Sequence, residues 1–300
     1  KLKSSKNCKG RHLVKAVWYE QIGAADDVLT HGNIDDPEVN DGEVLVRIRT
    51  SGVNPSDVKT RAGARGELQF PRIIPHSDGA GYIKAVGNGV DKNRIGERVW
   101  LWNGAFGRAF GTCAEYISLP ANQAVGMPEN STFEAGACMG IPASTAYHGV
   151  FSGGSVKNKT LLVTGGAGAV GHYAIQLAKW DGAQVVATVS GSEKGSAAEE
   201  AGADLVVNYK TDDVVETVNN FTNGEGVDRI VEVEFGGNLS VSQQIIKTNG
   251  VIAAYGSVAV GNPELPFYKL MFKSAVLKMY LIYTVPSEAR ANIINGLTKA

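Results

Sequence analysis

The chain has 300 residues, of which 43% are hydrophobic and 20% charged, and its formal net charge is −1. This length predicts about two domains, and the balanced charge argues against a nucleic-acid-binding protein. No apolar stretch reaches about 18 residues, so we expect no transmembrane helix. Cys8, Cys113 and Cys138 form no C-x-x-C pair, which predicts neither a zinc ribbon nor a disulfide framework and fits a reducing cytoplasm. The basic residues among the first eleven precede no apolar run, so we interpret them as a disordered tail and not as a secretory signal.

The first half of the chain is predicted to be rich in β-strands. Val14–Tyr19 and Glu43–Arg49 alternate apolar and polar residues, as half-buried strands do. Frequent glycines and prolines separate such runs. This pattern favours a compact, barrel-like domain with functional loops.

From about Ala143 onward, strand and helix patterns alternate. Repeated βα units predict a parallel, doubly wound sheet, which is an α/β Rossmann fold. The predicted strands are Thr160–Thr164, Gln184–Val189, Leu205–Tyr209, Val227–Val233 and Val251–Gly256. The predicted helices between them are Glu193–Ala201, Asp212–Phe221 and Leu239–Lys247, the last of which is closed by Asn249-Gly250.

A glycine motif stands between the first of these strands and the helix that follows it. Its residues are Gly166-Ala167-Gly168-Ala169-Val170-Gly171, which spell G-x-G-x-x-G. In this setting the first glycine permits a tight turn, the second lets the backbone approach a dinucleotide pyrophosphate, and the third lets the helix pack on the strand. The alternative is a strand-to-helix turn without a ligand, but the surrounding βα pattern favours dinucleotide binding.

The end of the second strand indicates which dinucleotide binds. An NAD-preferring fold places a carboxylate there, on the ribose 2′-hydroxyl. Here the strand runs into Ser190 and Ser192, with Lys194 beyond them and Glu193 nearby. Hydroxyl groups and a cation suit a 2′-phosphate, so we predict NADPH. The alternative for Lys194 is a solvated lysine on the first turn of a helix.

A further run, Val276–Val285, is strongly strand-forming and apolar at both odd and even positions. We interpret it as a sheet edge that pairs with a second subunit, because exposed apolar edges are liabilities unless they are covered. The sequence therefore predicts a homodimer.

Taken together, the chain from about Val14 onward resembles the medium-chain dehydrogenase/reductase superfamily, and within it the zinc-free, zeta-crystallin-like quinone oxidoreductases. The resemblance rests on several ordered motifs in addition to the glycine turn: Ser51–Asp57, Pro75–Gly81, Gly96–Val99, Ala114–Tyr116 and Gly140–Tyr147. It implies a GroES-like catalytic domain (residues 12–138), a Rossmann domain (139–285) and the start of a return segment (286–300). Because such proteins continue further, we expect either an incomplete chain or a differently closed catalytic domain.

The resemblance also bears on zinc. Zinc-dependent relatives carry ligands at the positions of Asn54, Ser77 and Ile141, none of which supplies the required donor here. We therefore predict no metal ligand. His76, with Asp78 and Asp57, is the remaining alternative for a different metal site.

The same resemblance implies an NADPH-dependent enzyme that reduces quinones or α,β-unsaturated carbonyls. It places Asn54 and Asp57 in the catalytic pocket, with Asp57 alternatively a loop carboxylate that caps backbone N–H groups, and it puts Lys59 where a tyrosine is frequent. The implied cofactor-binding residues are Thr145, Gly166, Gly168, Ala169, Val170, Gly171, Ser190, Lys194, Tyr209 and Gly256. An enoyl-thioester reductase and a structural, crystallin-like cofactor-binding protein remain the alternative functions.

Overall fold

The computed structural model describes residues 13–300. The basic N-terminal segment, Cys8 and residue 12 lie outside the described residues. Contacts divide the chain into two compact units, the first ending at Ile141 and the second running from Pro142 to Ala300. No helix among the described residues is both long and apolar enough to cross a membrane.

The first unit is built on antiparallel strands. Five of them form a sheet in the order β6-β3-β4-β5-β7, and β1 and β2 form a separate two-stranded ribbon. The strands are β1 Leu13–Trp18, β2 Thr30–Asp35, β3 Glu43–Gly52, β4 Asp78–Val86, β5 Arg98–Leu101, β6 Tyr116–Pro120 and β7 Ala124–Gly126. The helices are α1 Ala25–Val28, α2 Pro55–Arg61 and α3 Phe133–Gly136. The predicted β-rich domain is confirmed, although no ladder joins β6 to β7 within residues 13–300.

Alternation along these strands creates the core of the first unit. Val44 and Val46 of β3 are fully buried, whereas the intervening positions are more exposed. They pack with the buried Ile83, Leu101 and Leu119 from three other strands. Because one sheet face is covered in this way, the register of β3 against β4 is fixed, and with it the loop that follows β3.

The second unit is a six-stranded, entirely parallel sheet in the order β10-β9-β8-β11-β12-β13. Because all six strands are parallel, their carboxyl ends lie at one edge of the sheet. The strand order is that of a dinucleotide-binding Rossmann fold, so the predicted fold class is confirmed. The strands are β8 Thr160–Thr164, β9 Gln184–Val189, β10 Leu205–Asn208, β11 Val227–Glu232, β12 Ile246–Ala254 and β13 Val276–Met279. The helices are α4 Ser144–Phe151, α5 Ala169–Trp180, α6 Ser192–Glu200, α7 Val214–Phe221, α8 Phe235–Ile245, α9 Phe267–Phe272 and α10 Ser287–Lys299.

Three predicted elements were wrong in extent, and one of them is the predicted strand 251–256, which in the structure is β12 and spans Ile246–Ala254. The run 276–285 forms a strand only as far as Met279, at the edge of the sheet, and then becomes a short 3-10 turn over Ile282–Thr284. The predicted helix 239–247 instead starts at Phe235 and ends at Ile245. Asn249, with φ +61°, lies inside β12 and marks an irregularity in the strand, not the end of a helix.

Candidate functional site

The glycine motif forms the turn between β8 and α5. Gly168 is the N-terminal cap of the helix, and Gly168 and Ala169 are exposed. The first N–H groups of a helix have no partner within it, so those of Ala169 and Val170 point from an accessible helix N-terminus. Together with the helix dipole they create a site for an anion.

Two of the motif's glycines are required by close packing. A Cβ atom on Gly166 would stand 2.8 Å from Cβ of Ala187 on the neighbouring strand β9. A Cβ atom on Gly171 would overlap the backbone carbonyl of Gly165. The sequence assigned the tight turn to Gly166, but the residue with the left-handed conformation is Gly165, at φ +67°. Gly165 precedes the motif, so the motif pattern alone did not identify it.

Three of the predicted phosphate-binding residues lie close together at the carboxyl ends of β9 and β10. Nζ of Lys194 donates a hydrogen bond to Oγ of Ser190 at 3.0 Å. The backbone N–H of Tyr209 donates to the carbonyl of Val189 at 3.1 Å, which fixes Tyr209 beside Ser190. Lys194 and the Tyr209 side chain are both exposed. The group therefore presents a cation, a serine hydroxyl and a phenol on one accessible surface.

The other two predicted cofactor residues occupy different surroundings. Gly256 follows β12 at the carboxyl edge of the sheet, and a Cβ atom there would overlap the carbonyl of Val233. A cavity of about 640 Å³ lies beside it and is lined by Tyr255, Met279, Tyr280 and other residues. Thr145 is buried in α4, where its carbonyl accepts a hydrogen bond from the Tyr280 hydroxyl at 2.8 Å. Within residues 13–300, the hydrogen bonds of Thr145 do not reach the glycine turn.

A buried carboxyl that the sequence reasoning missed lies between the ends of β8 and β11. Glu232 is fully buried, and its Oε1 accepts hydrogen bonds from the Thr164 hydroxyl and the Asn238 amide at 2.8 Å each, and from the Glu234 N–H at 2.7 Å. Burial raises the pKa of Glu232, although these hydrogen bonds oppose the shift. Because Thr164 immediately precedes Gly165, the carboxyl anchors the start of the glycine turn. A buried acidic residue at a strand end was visible in the sequence but matched no motif.

In the first unit, Asn54 and Asp57 lie at the start of α2. Asn54 is the N-terminal cap of this helix, and its backbone N–H donates to Oδ2 of Asp57 at 2.8 Å, so the pair forms a capping box. Asn54 is 7% exposed, and its side-chain amide donates to Oδ2 of the buried Asp78 at 2.9 Å. The structure thus brings together the two predicted catalytic residues and orients Asn54 through a carboxylate from β4.

Burial raises the pKa of Asp57 from 3.8 to about 6, while hydrogen bonds from the backbone of Asn54 and His76 and the charge of Arg65 oppose the rise. Because the folded protein binds this proton more tightly than the unfolded chain does, protonated Asp57 adds to the free energy of unfolding. This contribution is fully present below the pKa of the unfolded state and is lost as the pH rises through the folded-state pKa of about 6. For Asp57 the loss between pH 4.5 and 7.5 is about 2 kcal/mol.

Asp57→Asn is expected to remove this part of the pH dependence, because the amide oxygen still accepts the Asn54 N–H but does not ionise. Urea unfolding of both proteins at pH 4.5 and 7.5 measures the effect, and the wild type should lose about 2 kcal/mol more than the variant between these values. Asp91→Asn, at an exposed carboxylate that also caps a helical turn, is the control. Equal losses in wild type and Asp57→Asn would contradict the expectation.

The three positions at which the resemblance implies zinc ligands in relatives are enclosed. Asn54, Ser77 and Ile141 are each at most 9% exposed. Among residues 13–300, no group of three or more His, Cys, Asp or Glu side chains is arranged to hold a metal ion. His76, the remaining candidate, directs Nδ1 to the hydroxyl of Ser51 at 2.9 Å.

The fold and its two clusters of polar residues define a two-unit dehydrogenase/reductase. The family description "Alcohol dehydrogenase GroES-like domain" matches residues 40–129, and "Zinc-binding dehydrogenase" matches residues 169–297. Human quinone oxidoreductase is 28% identical over 249 residues, covering 83% of this chain and 74% of the relative. Tomato (Solanum lycopersicum) 2-methylene-furan-3-one reductase is 30% identical, covering 76% of this chain and 62% of the relative. A mycobacterial protein solved as a complex with NADPH superposes with a TM-score of 0.78 at 26% identity, covering 95% of this chain and 88% of that one.

These matches extend over both units and agree with the motifs of each. The chain belongs to the quinone oxidoreductase family of the medium-chain dehydrogenase/reductase superfamily, and it is an oxidoreductase.

Proposed function

We propose that the protein is an NADPH-dependent reductase of quinones or α,β-unsaturated carbonyl compounds. The observation that carries this proposal is the accessible glycine turn of β8–α5 together with the Lys194–Ser190 pair at the end of β9. Human quinone oxidoreductase and the NADPH-bound mycobacterial protein support the same activity and cofactor.

The second unit contains groups that suit each part of NADPH. The N-terminus of α5 would hold the pyrophosphate. Lys194, Ser190 and Tyr209 would bind the 2′-phosphate, and the largely apolar cavity beside Gly256 would accommodate the nicotinamide half. When bound, the cofactor supplies a hydride, and the protein's contribution is to bind and orient it.

The first unit contains the groups that we assign to the acceptor. The Asn54 amide is oriented by Asp78, and one amide hydrogen remains to donate to a carbonyl oxygen. Asp57 fixes the backbone of the Asn54 loop. An acceptor that is already electrophilic needs such positioning and no Lewis acid, which fits the absence of donor residues at the three zinc positions.

The experiment that tests the proposed function is a screen of acceptors with NADPH and NADH. NADPH oxidation should occur with naphthoquinones and with simple enals or enones, and it should be weaker with NADH. Activity with enoyl thioesters alone would mean that the protein is an enoyl-thioester reductase and not a reductase of quinones or simple enones. Stoichiometric NADPH binding without turnover of any acceptor would instead indicate a structural cofactor-binding protein.

We expect the purified protein to contain far less than one zinc per chain, because Asn54, Ser77 and Ile141 replace the catalytic ligands. Elemental analysis after dialysis without chelator provides the measurement, and activity after chelator treatment provides the control. One tightly bound zinc per chain, with activity lost on chelation, would refute a zinc-independent enzyme.

We also propose that the protein is a homodimer, formed through the edge strand β13 and helix α9. Several apolar side chains on these two elements are more than half exposed: Phe267, Tyr268, Phe272, Val276 and Met279. Among the described residues, β13 lies at the edge of the sheet and pairs with β12 alone. An exposed apolar edge of this kind is normally covered by a partner.

Met279→Lys should convert the dimer to monomer, because a lysine on an edge strand opposes pairing between strands. Sedimentation equilibrium at micromolar protein measures the mass of each form. Leu13→Lys changes a leucine of equal exposure in the first unit (60% for both) and should leave the dimer intact. A wild-type monomer at these concentrations would overturn the proposal.

A further inference from the structure

His76 is held in an unusual backbone conformation next to the Asn54 loop. Its φ is +78°, a left-handed conformation that costs non-glycine residues energy and is found mainly for Asn, Asp and His. The backbone of His76 lies close enough to the Asp57 carboxylate to lower its pKa, and Asp57 also accepts the Asn54 N–H. The Asp57 carboxylate therefore lies next to both His76 and Asn54, in the unit that we assign to the acceptor.

A chain of hydroxyl groups fixes one nitrogen of the His76 ring. Nδ1 lies 2.9 Å from Oγ of Ser51, and Oγ of Ser51 lies 2.8 Å from Oγ1 of Thr112. Oγ1 of Thr112 lies 2.5 Å from the carbonyl of Asp78 and 3.4 Å from the carbonyl of His76. Thr112 is completely buried, so protein atoms must satisfy its hydroxyl.

The direction of each hydrogen bond follows from these partners. A carbonyl only accepts, so the single hydroxyl proton of Thr112 is directed to a carbonyl oxygen. Thr112 must then accept from Ser51, which uses the only proton of Ser51. Ser51 in turn must accept from Nδ1 of His76. The chain thus holds the proton of the neutral imidazole on Nδ1 and leaves Nε2 as the nitrogen that gains and loses a proton.

The surroundings leave Nε2 available for that role. The His76 side chain is half-buried, and no atom of the described chain hydrogen-bonds Nε2. The hydroxyl chain ends on a carbonyl, which cannot accept a proton, so protons do not leave through Nδ1. The ring is therefore anchored at one nitrogen and open at the other.

We propose that His76 is a catalytic residue that donates a proton from Nε2 to the oxygen of the acceptor as it is reduced. This inference rests on the proposed function, because a carbonyl oxygen that gains charge from a hydride needs a proton to complete the reduction. For an enone, hydride adds to the β-carbon and the electron pair of the C=C bond shifts toward the carbonyl oxygen. The Nε2–H bond breaks, an O–H bond forms, and the product leaves as the enol, which converts to the ketone. Neutral His76 then takes a proton from water.

The pH dependence of this step has a definite sign. The titratable groups on the segments next to His76 are Asp57 of α2, Asp78 at the start of β4 and Cys113, whose N–H donates to the carbonyl of Pro75, and the charge of Arg65 acts on Asp57. Burial lowers the pKa of His76 below its usual 6.5. Proton donation requires the imidazolium, so the rate should fall about tenfold per pH unit as the pH rises above that pKa.

The first test needs neither cofactor nor turnover. Nitrogen-15 NMR of the imidazole groups reports which ring nitrogen carries the proton, and His76→Gln assigns the signal of this ring. We expect the neutral ring to be protonated on Nδ1, and Thr112→Val to weaken that preference because it breaks the hydroxyl chain. A neutral ring protonated on Nε2 in the wild type would overturn the assignment.

The second test is the pH profile of kcat with an enone at saturating NADPH. His76→Gln should lower kcat about 10²-fold or more at pH 5.5 and abolish the decline toward higher pH. Asp57→Asn distinguishes the titration of Asp57 from that of His76, and this variant should still show kcat falling as the pH rises. His31→Gln, on strand β2, should have the wild-type pH profile. If His76→Gln keeps the wild-type decline, or if Asp57→Asn removes it, His76 is not the donor. Failure of the wild type to reduce any acceptor would instead refute the proposed function.

Discussion

Lys194→Ala should weaken NADPH binding about 10- to 150-fold and leave NADH binding nearly unchanged. A charge-assisted hydrogen bond to the 2′-phosphate contributes about 1.5–3 kcal/mol, which corresponds to that range of affinity. NADH has no 2′-phosphate and so loses no contact. The hydrogen bond from Lys194 to Ser190 shows that the ammonium group already lies over the end of β9.

Calorimetric titration of both cofactors against wild type and variant measures this selectivity, and the salt dependence of NADPH binding should become flatter in the variant. Lys269→Ala, at an exposed lysine of α9, is the matched control and should change neither affinity. Equal loss of both cofactors would mean that Lys194 is structural. Loss of neither would mean that Lys194 does not contact the 2′-phosphate, which would leave Ser190 and Tyr209 as its partners.

Gly171→Ala should weaken NADPH and NADH equally, by about 10²- to 10⁴-fold. The added Cβ atom would overlap the carbonyl of Gly165, so the turn must shift and its N–H groups lose their alignment with the pyrophosphate. Two charge-assisted hydrogen bonds at about 1.5–3 kcal/mol each account for this range. The same titrations measure it, so the two variants distinguish the pyrophosphate site from the 2′-phosphate site.

Gly195→Ala provides the matched control for a glycine of the same unit. It lies inside α6, and a Cβ atom there would make only an ordinary contact of 3.6 Å with Val206. We expect unchanged cofactor affinity and a gain in unfolding free energy of about 0.5–1 kcal/mol, because alanine replaces glycine within a helix. If Gly171→Ala binds the cofactors as tightly as Gly195→Ala does, the glycine turn does not bind the pyrophosphate.

The strands of the second unit were predictable because each is a short apolar run bounded by polar or glycine residues. Thr160–Thr164 and Gln184–Val189 have the predicted bounds. The run 276–285 was predicted too long, because side-chain propensity does not reveal where pairing with β12 stops. Asn249 resembled a helix end by its residue type, but its left-handed conformation occurs within a strand.

The sequence predicted those site residues whose type suggests a specific chemistry and whose position follows directly from a predicted strand. The glycine motif and Lys194 follow strands in the sequence, so their positions at the sheet edge followed from the fold. The partners of those residues did not, because Glu232 with Thr164 and Ser51 with Thr112 are separated by 68 and 61 positions in the chain. Such pairs meet only after the sheets have assembled, and no local pattern encodes them.

We expect this chain to transfer a hydride from NADPH to an electrophilic carbonyl acceptor. The most direct measurement supplies NADPH deuterated at C4 of the nicotinamide, on one face or the other, with a simple enone, and locates the label in the product by mass spectrometry and NMR. We predict that one of the two labelled forms gives a saturated ketone with a single deuterium on the β-carbon. Absence of NADPH consumption with every acceptor, or consumption that leaves the saturated product unlabelled from both forms, would contradict the claim.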